Sequence, residues 1–226
     1  MEQTTQRLAE ALREERAWEA DGVTVLTASG TLPQLAGRDR RAKRFNRYYR
    51  RLCRAYIAYC ARFLLPEAAE SCRAAMAVSA PWHAARAELR CSVSLCAGEV
   101  LSIVSDAWET VCGLPPFTLR RSEVWDLGAG LPMPLEEFFP PRAPCRRTLL
   151  RFARAETPAR IERGAAYREN WRALLRRALN TRDFYLTEGG LCFFYPPGAV
   201  APAREGVVSY TLPWDAEHGP FLPPEA

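Results

Sequence analysis

The chain is organised around Phe184-Tyr185-Leu186-Thr187-Glu188-Gly189-Gly190-Leu191-Cys192-Phe193-Phe194-Tyr195-Pro196-Pro197. Two apolar, aromatic runs flank a polar turn, and its two glycines can adopt the positive φ of a tight hairpin. Side chains alternate between the two faces of a strand, and here neither face is clearly polar. Burial of each aromatic contributes about 1.5–3 kcal/mol, so we expect the hairpin to lie at the centre of the core. Pro196 is expected to end the second strand.

The segments beside this hairpin predict one helix and one strand. Thr157 followed by Pro158 suits an N-cap and first helical residue, so we expect a helix from Thr157 through about Leu179. The apolar run Val207 to Trp214 predicts a last strand that completes the sheet.

The middle of the chain reads as an antiparallel meander. Apolar and polar residues alternate from Arg86 to Leu95, which is typical of a strand with one wet face. Gly98 allows a turn into a partner strand from Val100 to Trp108, and residues 117–127 predict a third strand.

The N-terminal region predicts a helix and a short strand. Residues from about Gln3 to Trp18 have helix-forming composition, and Gly22 closes that segment. Residues 23–27 then predict a strand, which we expect Ser29-Gly30 and Pro33 to break.

The strongest helical periodicity runs from about Arg38 to Leu65, and we expect Pro66 to stop that helix. A shorter helical piece is expected around Glu67 to Val78. The apolar stripe of the long helix contains Phe45, Tyr48, Tyr49, Leu52, Cys53, Tyr56, Cys60, Phe63 and Leu64. Its other face carries Arg40, Arg41, Lys43, Arg44, Arg47, Arg50, Arg51, Arg54 and Arg62.

Two interpretations of this basic face compete. It is either a solvated outer face whose arginine stems cover apolar surface, or a binding surface for nucleic acid or another anion. The aromatic residues share the apolar stripe and so belong to the core rather than to a base-stacking platform, which favours the solvated face. For the alternative, the candidate binding residues are Arg44, Arg47, Arg51 and Arg54.

Taken together, the elements predict an α+β fold in which a mainly antiparallel sheet packs against a long basic amphipathic helix and a second helix. No segment within the 226 residues reads as a linker, so we expect a single domain over residues 1–226, with residues 1–30 as an N-terminal extension.

Composition and cysteine spacing indicate where in the cell the protein is located and whether it binds a metal or cofactor. The sequence contains neither an export signal nor the ~18 uncharged apolar residues of a membrane span, which predicts a cytoplasmic protein. The eight cysteines are irregularly spaced without a Cys-x-x-Cys motif, so we expect most to be small buried side chains rather than metal ligands. No metal or cofactor site is predicted. The net charge of +5 is mild and does not name a partner.

Several motifs resemble the RsiV-type C-terminal domain family of unknown function. They are Leu32-Pro33-Gln34-Leu35-Ala36-Gly37 followed by Phe45-Asn46, then Asp126-Leu127-Gly128-Ala129-Gly130, Leu135-Glu136-Glu137-Phe138-Phe139, and the C-terminal hairpin with Ala201-Pro202 and the last strand. The resemblance extends over about residues 32–214. The chain departs from the family at Cys112-Gly113-Leu114-Pro115, where many relatives carry Gly-Gly-Ala-His.

Domains of this type form the extracellular part of a membrane-bound, lysozyme-sensing anti-sigma factor and accompany the catalytic domain of some peptidoglycan deacetylases. The resemblance therefore implies a bacterial, non-catalytic binding or sensing module that recognises a protein or cell-envelope ligand, with lysozyme or peptidoglycan as the implied examples. We expect recognition through loops such as Pro196 to Gly206 and Cys112 to Pro116.

The alternatives to a protein-binding module are weaker on the sequence. Anion or nucleic-acid binding through the basic helix, residues 38–65, is the second hypothesis, with nucleic acid disfavoured. An enzyme, such as a hydrolase, is the third, because Glu136-Glu137 and His83 lack a recognisable nucleophile and no catalytic motif is present. We therefore expect no catalytic residues.

Overall fold

The computed structural model of the protein describes residues 8–110 and 117–222. In these residues, nine strands form two mostly antiparallel sheets accompanied by helices, which confirms the α+β class. The strands are β1 (Leu8–Ala20), β2 (Val23–Leu35), β3 (Ala85–Ala97), β4 (Val100–Thr110), β5 (Phe117–Asp126), β6 (Leu131–Pro132), β7 (Phe184–Thr187), β8 (Gly190–Tyr195) and β9 (Val208–Pro213). The α-helices are α1 (Arg40–Tyr59), α2 (Leu65–Ala77), α3 (Cys145–Glu162) and α4 (Trp171–Ala178).

The first sheet has the strand order β1-β2-β3-β4-β5-β6, and the second has the order β7-β8-β9. The chain divides into two compact units. The helix–sheet unit comprises Glu2–Ser92 and Ser105–Thr118, and the C-terminal unit comprises Val93–Val104 and Leu119–Ala226. That the whole chain is one domain stays a prediction.

The helix–sheet unit begins with a long hairpin. Asp21 and Gly22 both have positive φ, 52° and 76°, as the two central residues of a type I′ turn require, and they join β1 to β2 in antiparallel register. Strand β2 then pairs with β3 in parallel, from Leu26 opposite Ala85 to Thr31 opposite Arg90. A parallel pair needs a crossover connection, and α1 with α2 provides it.

Two predictions for this region were wrong. Residues 8–18 of the predicted N-terminal helix lie in β1, because the turn at Asp21-Gly22 returns the chain along a long partner strand. This pairing overrides the helix propensity of alanine, glutamate and arginine. Strand β2 also does not break at Ser29-Gly30 or Pro33 but continues to Leu35. The close approach of Cys53 explains the glycine at position 30 of the sheet, because a Cβ there would lie 2.5 Å from Cys53 Sγ.

The long basic helix is confirmed, but Pro66 does not stop it. Cys60–Leu64 form a π-helical turn in which the Leu65 N–H donates to the Cys60 carbonyl, and α2 follows directly. Pro66 lies in the first turn of α2, where the absent N–H would have no intrahelical acceptor. The shorter predicted helix around residues 67–78 corresponds to α2.

In the C-terminal unit, the predicted hairpin is confirmed as β7 and β8. Phe184 pairs with Phe193 and Leu186 pairs with Leu191, and every residue of β8 is buried. The core around them includes Leu149, Trp171, Leu175, Phe184, Leu186, Leu191, Phe193, Tyr195 and Tyr210. The last strand, β9, pairs with β8, so the prediction that it completes one common sheet was wrong: the hairpin and β9 form a sheet of their own.

The helix predicted from Thr157 to Leu179 was also wrong. Thr157 and Pro158 lie inside α3, and α4 is a separate helix. The buried residues Cys145, Leu149, Ala153 and Thr157 recur every four positions and form the packing face of α3. Thr157 is therefore a buried core residue, and its Oγ1 donates to the Ala153 carbonyl at 2.6 Å.

The meander β3, β4 and β5 is confirmed, with Gly98 in the β3–β4 turn at a φ of 54°. Six of the seven described cysteines are buried, as predicted; Cys112 lies outside the described residues. Among residues 8–110 and 117–222, no helix has both the length and the apolar character needed to cross a membrane.

Candidate functional site

Helix α1 presents opposite faces to the core and to solvent. It begins at the N-cap Asp39, whose Oδ1 accepts a hydrogen bond from the Ala42 N–H at 2.7 Å. Its buried face consists of Ala42, Phe45, Tyr49, Cys53 and Tyr56. The candidate binding residues Arg44, Arg47, Arg51 and Arg54 are all exposed on the same helix.

A shallow depression of about 490 Å³ runs along one side of α1. It is lined by the basic flank, which we define as Lys43, Arg47, Arg50, Arg51 and Arg54, together with Asn46. Three of the four candidate arginines therefore line one depression, and Arg44 lies outside it. From Lys43 to Arg54 the flank extends about 16 Å along the helix axis.

Two polar side chains fix this part of α1 against the end of β2. Asn46 accepts a hydrogen bond from the Leu35 N–H at 2.8 Å and donates to the Leu35 carbonyl at 3.0 Å. Arg50 Nη2 donates to Gln34 Oε1 at 3.2 Å, and the buried Gln34 itself donates to the Pro33 carbonyl. The hydrogen bonds of Asn46 and Arg50 to the end of β2 thus hold one side of the depression in place. The other arginines of the flank are exposed to solvent.

No acidic residue of α1 itself counters the charge of the flank, and no described carboxylate forms an ion pair with Lys43, Arg47, Arg51 or Arg54. The sequence contains no aspartate or glutamate from residue 40 to residue 66. Among the described residues, no carboxylate lies within 4.0 Å of a side-chain nitrogen of Lys43, Arg47, Arg51 or Arg54. The depression is therefore a concentrated positive surface.

This arrangement costs helix stability. Arg40, Arg41 and Lys43 occupy the first turn, where no acidic residue is present and the positive end of the helix dipole disfavours cations. Like charges three or four residues apart along a helix each destabilise it by about 0.2–0.5 kcal/mol. Two effects would offset this cost: apolar surface covered by the arginine stems, or the charge of a bound anion.

A second depression, of about 450 Å³, continues from the first and shares Arg54 with it. Its remaining lining comes from strand β1 and from the C-terminal part of the helix: Glu14, Glu15, Arg16, Ile57, Ala58 and Ala61. Strand β1 is an edge strand of the sheet. Within the basic flank, Arg54 is thus the residue that lines a depression together with β1, beside Glu14 and Glu15.

Burial raises the pKa of three titratable groups of this unit, Cys53, Cys60 and Glu109. Burial raises the pKa of the Cys53 and Cys60 thiols to about 12 each, so neither is a nucleophile at neutral pH. Burial also raises the pKa of Glu109, although a hydrogen bond from the Tyr59 hydroxyl at 3.3 Å partly opposes that shift. These groups stabilise the core and do not reach the basic flank.

The other candidates from the sequence are scattered. Glu136 and Glu137 are exposed in the 3₁₀ turn Leu135–Phe138, and His83 is exposed between α2 and β3. Within residues 8–110 and 117–222, no three His, Cys, Asp or Glu side chains lie together in a metal-binding group.

The two predicted recognition loops differ in what the structure describes. The loop from Pro196 to Gly206 places Val200 and Ala201 in the core, and the Val200 carbonyl accepts a hydrogen bond from the Arg168 N–H. Val200 and Ala201 thus anchor the loop, while Pro196 and residues 203–205 are exposed. The loop from Cys112 to Pro116 lies outside the described residues.

Sequence reasoning missed Gln34, Asn46 and Arg50 as residues that shape the depression. A signal was present, because Gln34 and Asn46 both lie in the motif that linked residues 32–37 to the start of the long helix. The sequence pattern did not predict that β1 is a strand. Strand β1 is the sheet edge that lies next to Arg54 of the flank.

Comparisons with known proteins find a family match for part of the chain. Residues 136–215 match the model of DUF3298, described as a protein of unknown function. The matched residues include α3, α4 and the second sheet, and the basic flank lies outside them.

Two crystal structures share the fold. One is a DUF3298-family protein from Bacteroides fragilis, 12% identical, with a TM-score of 0.65 and coverage of 90% of this chain and 89% of that chain. The other is a DUF3298-family protein from Pseudomonas aeruginosa PAO1, 10% identical, with a TM-score of 0.56 and the same coverage. Both similarities extend well beyond residues 136–215. No functionally curated protein matched the chain.

Proposed function

We propose that the protein is a non-catalytic binding module whose basic flank recognises an anionic ligand. The observation that carries this proposal is the row of five cationic side chains that line one depression, without a neutralising carboxylate in the described residues. Counter-charges supplied by a ligand would relieve the repulsion within the flank.

The positions of Asn46 and Arg50 support recognition rather than a plain solvated face. Their contacts with Leu35 and Gln34 hold the floor of the depression in place before any ligand binds. A preorganised surface loses less entropy on binding than one whose side chains must all be ordered. The use of arginine rather than lysine in the flank does not support the proposal, because Lys43 is the only lysine in the whole chain.

Retention on immobilised heparin, a generic polyanion, tests the proposal. We expect the triple variant R47Q/R51Q/R54Q to elute at a clearly lower salt concentration than the wild type. The matched control R73Q/R147Q/R163Q removes three exposed arginines elsewhere and changes the net charge equally, from +5 to +2. Equal elution of the two triple variants would mean that retention reflects net charge alone and would overturn the proposal.

The resemblance to the RsiV-type domain supports a finer proposal, that the natural ligand is a protein or a component of the bacterial cell envelope. Lysozyme and peptidoglycan are the examples the resemblance implies. Titration of the protein with lysozyme, and sedimentation with purified peptidoglycan, test each directly. Absence of binding to both would leave the anion-binding proposal in place and remove these two ligands.

The proposal that the protein has no catalytic activity is supported by the separation of His83, which precedes β3, from Glu136 and Glu137, which share one exposed 3₁₀ turn. A cytoplasmic location is likewise a proposal, which fractionation of the native cells tests. Hydrolytic activity that disappears in His83→Ala or Glu137→Ala would overturn the non-catalytic assignment.

A further inference from the structure

We propose that the basic flank binds a compact anion that carries several adjacent phosphoryl groups, such as the triphosphate group of a small molecule. This inference rests on the proposed function and specifies the class of its ligand. Four features of the site support it: the density of positive charge, one arginine held in place, the polar lining of the depression, and the acidic residues beyond Arg54.

The flank concentrates positive charge in a four-arginine cluster, which consists of Arg47, Arg50, Arg51 and Arg54. Each of these arginines has two of the others three or four residues away, where Cβ atoms on a helix surface are about 5–6 Å apart. A carboxylate carries one negative charge, whereas a terminal phosphoryl group carries about 1.5–2 and offers three acceptor oxygens. Adjacent phosphoryl groups therefore match the charge density of the cluster better than carboxylates do.

Arg50 is the member of the cluster that is held in place. Its Nη2 donates to Gln34 Oε1 at 3.2 Å, and the buried Gln34 donates in turn to the Pro33 carbonyl at 2.7 Å. A guanidinium has five N–H donors, and this contact uses one of them. The hydrogen bond restricts the orientation of the other donors before a ligand binds, which lowers the entropy lost on binding.

The lining of the depression indicates which parts of a ligand are recognised. Among the described residues, it consists of Lys43, Asn46 and the four-arginine cluster, without an aromatic or apolar side chain. Nucleic-acid bases are bound largely by stacking on aromatic rings, and apolar ligands by apolar pockets. The depression therefore binds the charged groups of its ligand and not an attached base or acyl chain.

Acidic residues mark one end of the site and favour a compact ligand. Beyond Arg54, the second depression is lined by Glu14 and Glu15 of β1. An anion that extended past Arg54 in that direction would approach these two carboxylates, and their repulsion would oppose further contact. The first depression, of about 490 Å³, has the volume of a small-molecule site. A ligand confined to it obtains the attraction of the whole cluster, and a longer polyanion gains no further attraction past Arg54.

Inorganic tripolyphosphate is the probe that tests this inference, because it consists of adjacent phosphoryl groups and nothing else. Its binding to the full-length protein is measured by isothermal titration calorimetry at about 50 mM salt, without divalent cations. Benzenehexacarboxylate is also compact and carries at least as many negative charges, so it separates phosphoryl recognition from attraction by charge alone. An oligothymidylate of about 12 nucleotides provides the extended polyanion and the nucleic-acid arm.

We expect tripolyphosphate to bind more tightly than benzenehexacarboxylate or the oligothymidylate. R47Q/R51Q/R54Q should lose at least about tenfold in affinity for tripolyphosphate, because it removes three charge-assisted contacts, and R73Q/R147Q/R163Q should lose much less.

Equal losses in the two variants would overturn the location of the site. Equal or tighter binding of benzenehexacarboxylate would overturn the phosphoryl assignment, and tighter binding of the oligothymidylate would overturn the compact-ligand assignment. If tripolyphosphate does not bind while heparin retention still depends on the flank, this inference is wrong and the proposed function stands.

Discussion

Removal of three arginines from the basic flank is predicted to stabilise the fold while it weakens binding. The variant R47Q/R51Q/R54Q leaves Arg50, which donates to Gln34, unchanged. Glutamine and arginine have similar helix propensities, so the substitution acts mainly through charge and side-chain length.

The size of the effect follows from the like-charge pairs that the variant removes. Six pairs at three- or four-residue spacing disappear: Lys43 with Arg47, Arg44 with Arg47, Arg47 with Arg50, Arg47 with Arg51, Arg50 with Arg54, and Arg51 with Arg54. Each contributes about 0.2 kcal/mol of repulsion if the low end of the range is taken for exposed, screened pairs. We therefore expect the free energy of unfolding to increase by about 1 kcal/mol.

Urea denaturation followed by circular dichroism measures this difference. The gain should be largest at about 0.01 M salt, where charges interact over about 30 Å, and should largely vanish at about 1 M salt. A loss of stability in the variant would refute the reasoning. It would mean that the arginine stems cover apolar surface, as the solvated-face interpretation requires.

Three further substitutions test the account. Asn46→Ala removes both hydrogen bonds to Leu35 and should lower the free energy of unfolding by about 1–3 kcal/mol in urea denaturation. Burial raises the pKa of Glu109 above 4.5, so the native state binds more protons than the unfolded state, and the free energy of unfolding falls as the pH rises above that value. Glu109→Gln should therefore flatten this fall and stabilise the protein at pH 7. Thermal unfolding across pH measures both effects. Gly190→Ala adds a Cβ that meets the Leu212 carbonyl at a backbone φ of 145°, and should cost about 2–4 kcal/mol in urea denaturation. An unchanged unfolding curve for any of the three would contradict the contact on which it depends.

The elements that local pattern predicted well are those whose packing follows from their own sequence. The hairpin around Glu188-Gly189 combines apolar strands with a glycine turn, and the apolar stripe of α1 repeats over more than five turns. The alternation in β3 likewise matches its burial from Ala85 to Ser92, although Val93, predicted to face the core, is exposed. In each case periodicity and burial agree.

The elements that were predicted wrongly depend on partners distant in sequence or on backbone details. Strand β1 has helix-forming composition and becomes a strand because β2 provides its pairing partner. Thr157-Pro158 resembles a helix start, but the buried contacts of α3 extend through it. Pro66 resembles a helix stop, but the π-helical turn Cys60–Leu64 carries the chain past it.

The site was only partly visible in the sequence. Arg47, Arg51 and Arg54 were identified from the charge pattern of one helix, which a helical wheel makes plain. The depression they line also depends on Asn46 and Gln34, whose contacts join two elements and have no periodic signature. The sheet edge beside the flank required the correct assignment of β1.

The most direct test of the basic flank as a binding surface is the salt dependence of the dissociation constant for a heparin oligosaccharide, measured from about 50 mM to about 200 mM salt. For the wild type and R73Q/R147Q/R163Q, we predict affinity that falls steeply with salt. For R47Q/R51Q/R54Q, we predict weaker binding and a shallower slope, because fewer charge contacts form. A slope and affinity for R47Q/R51Q/R54Q that match those of the control variant would contradict the assignment of the flank as the ligand-binding surface.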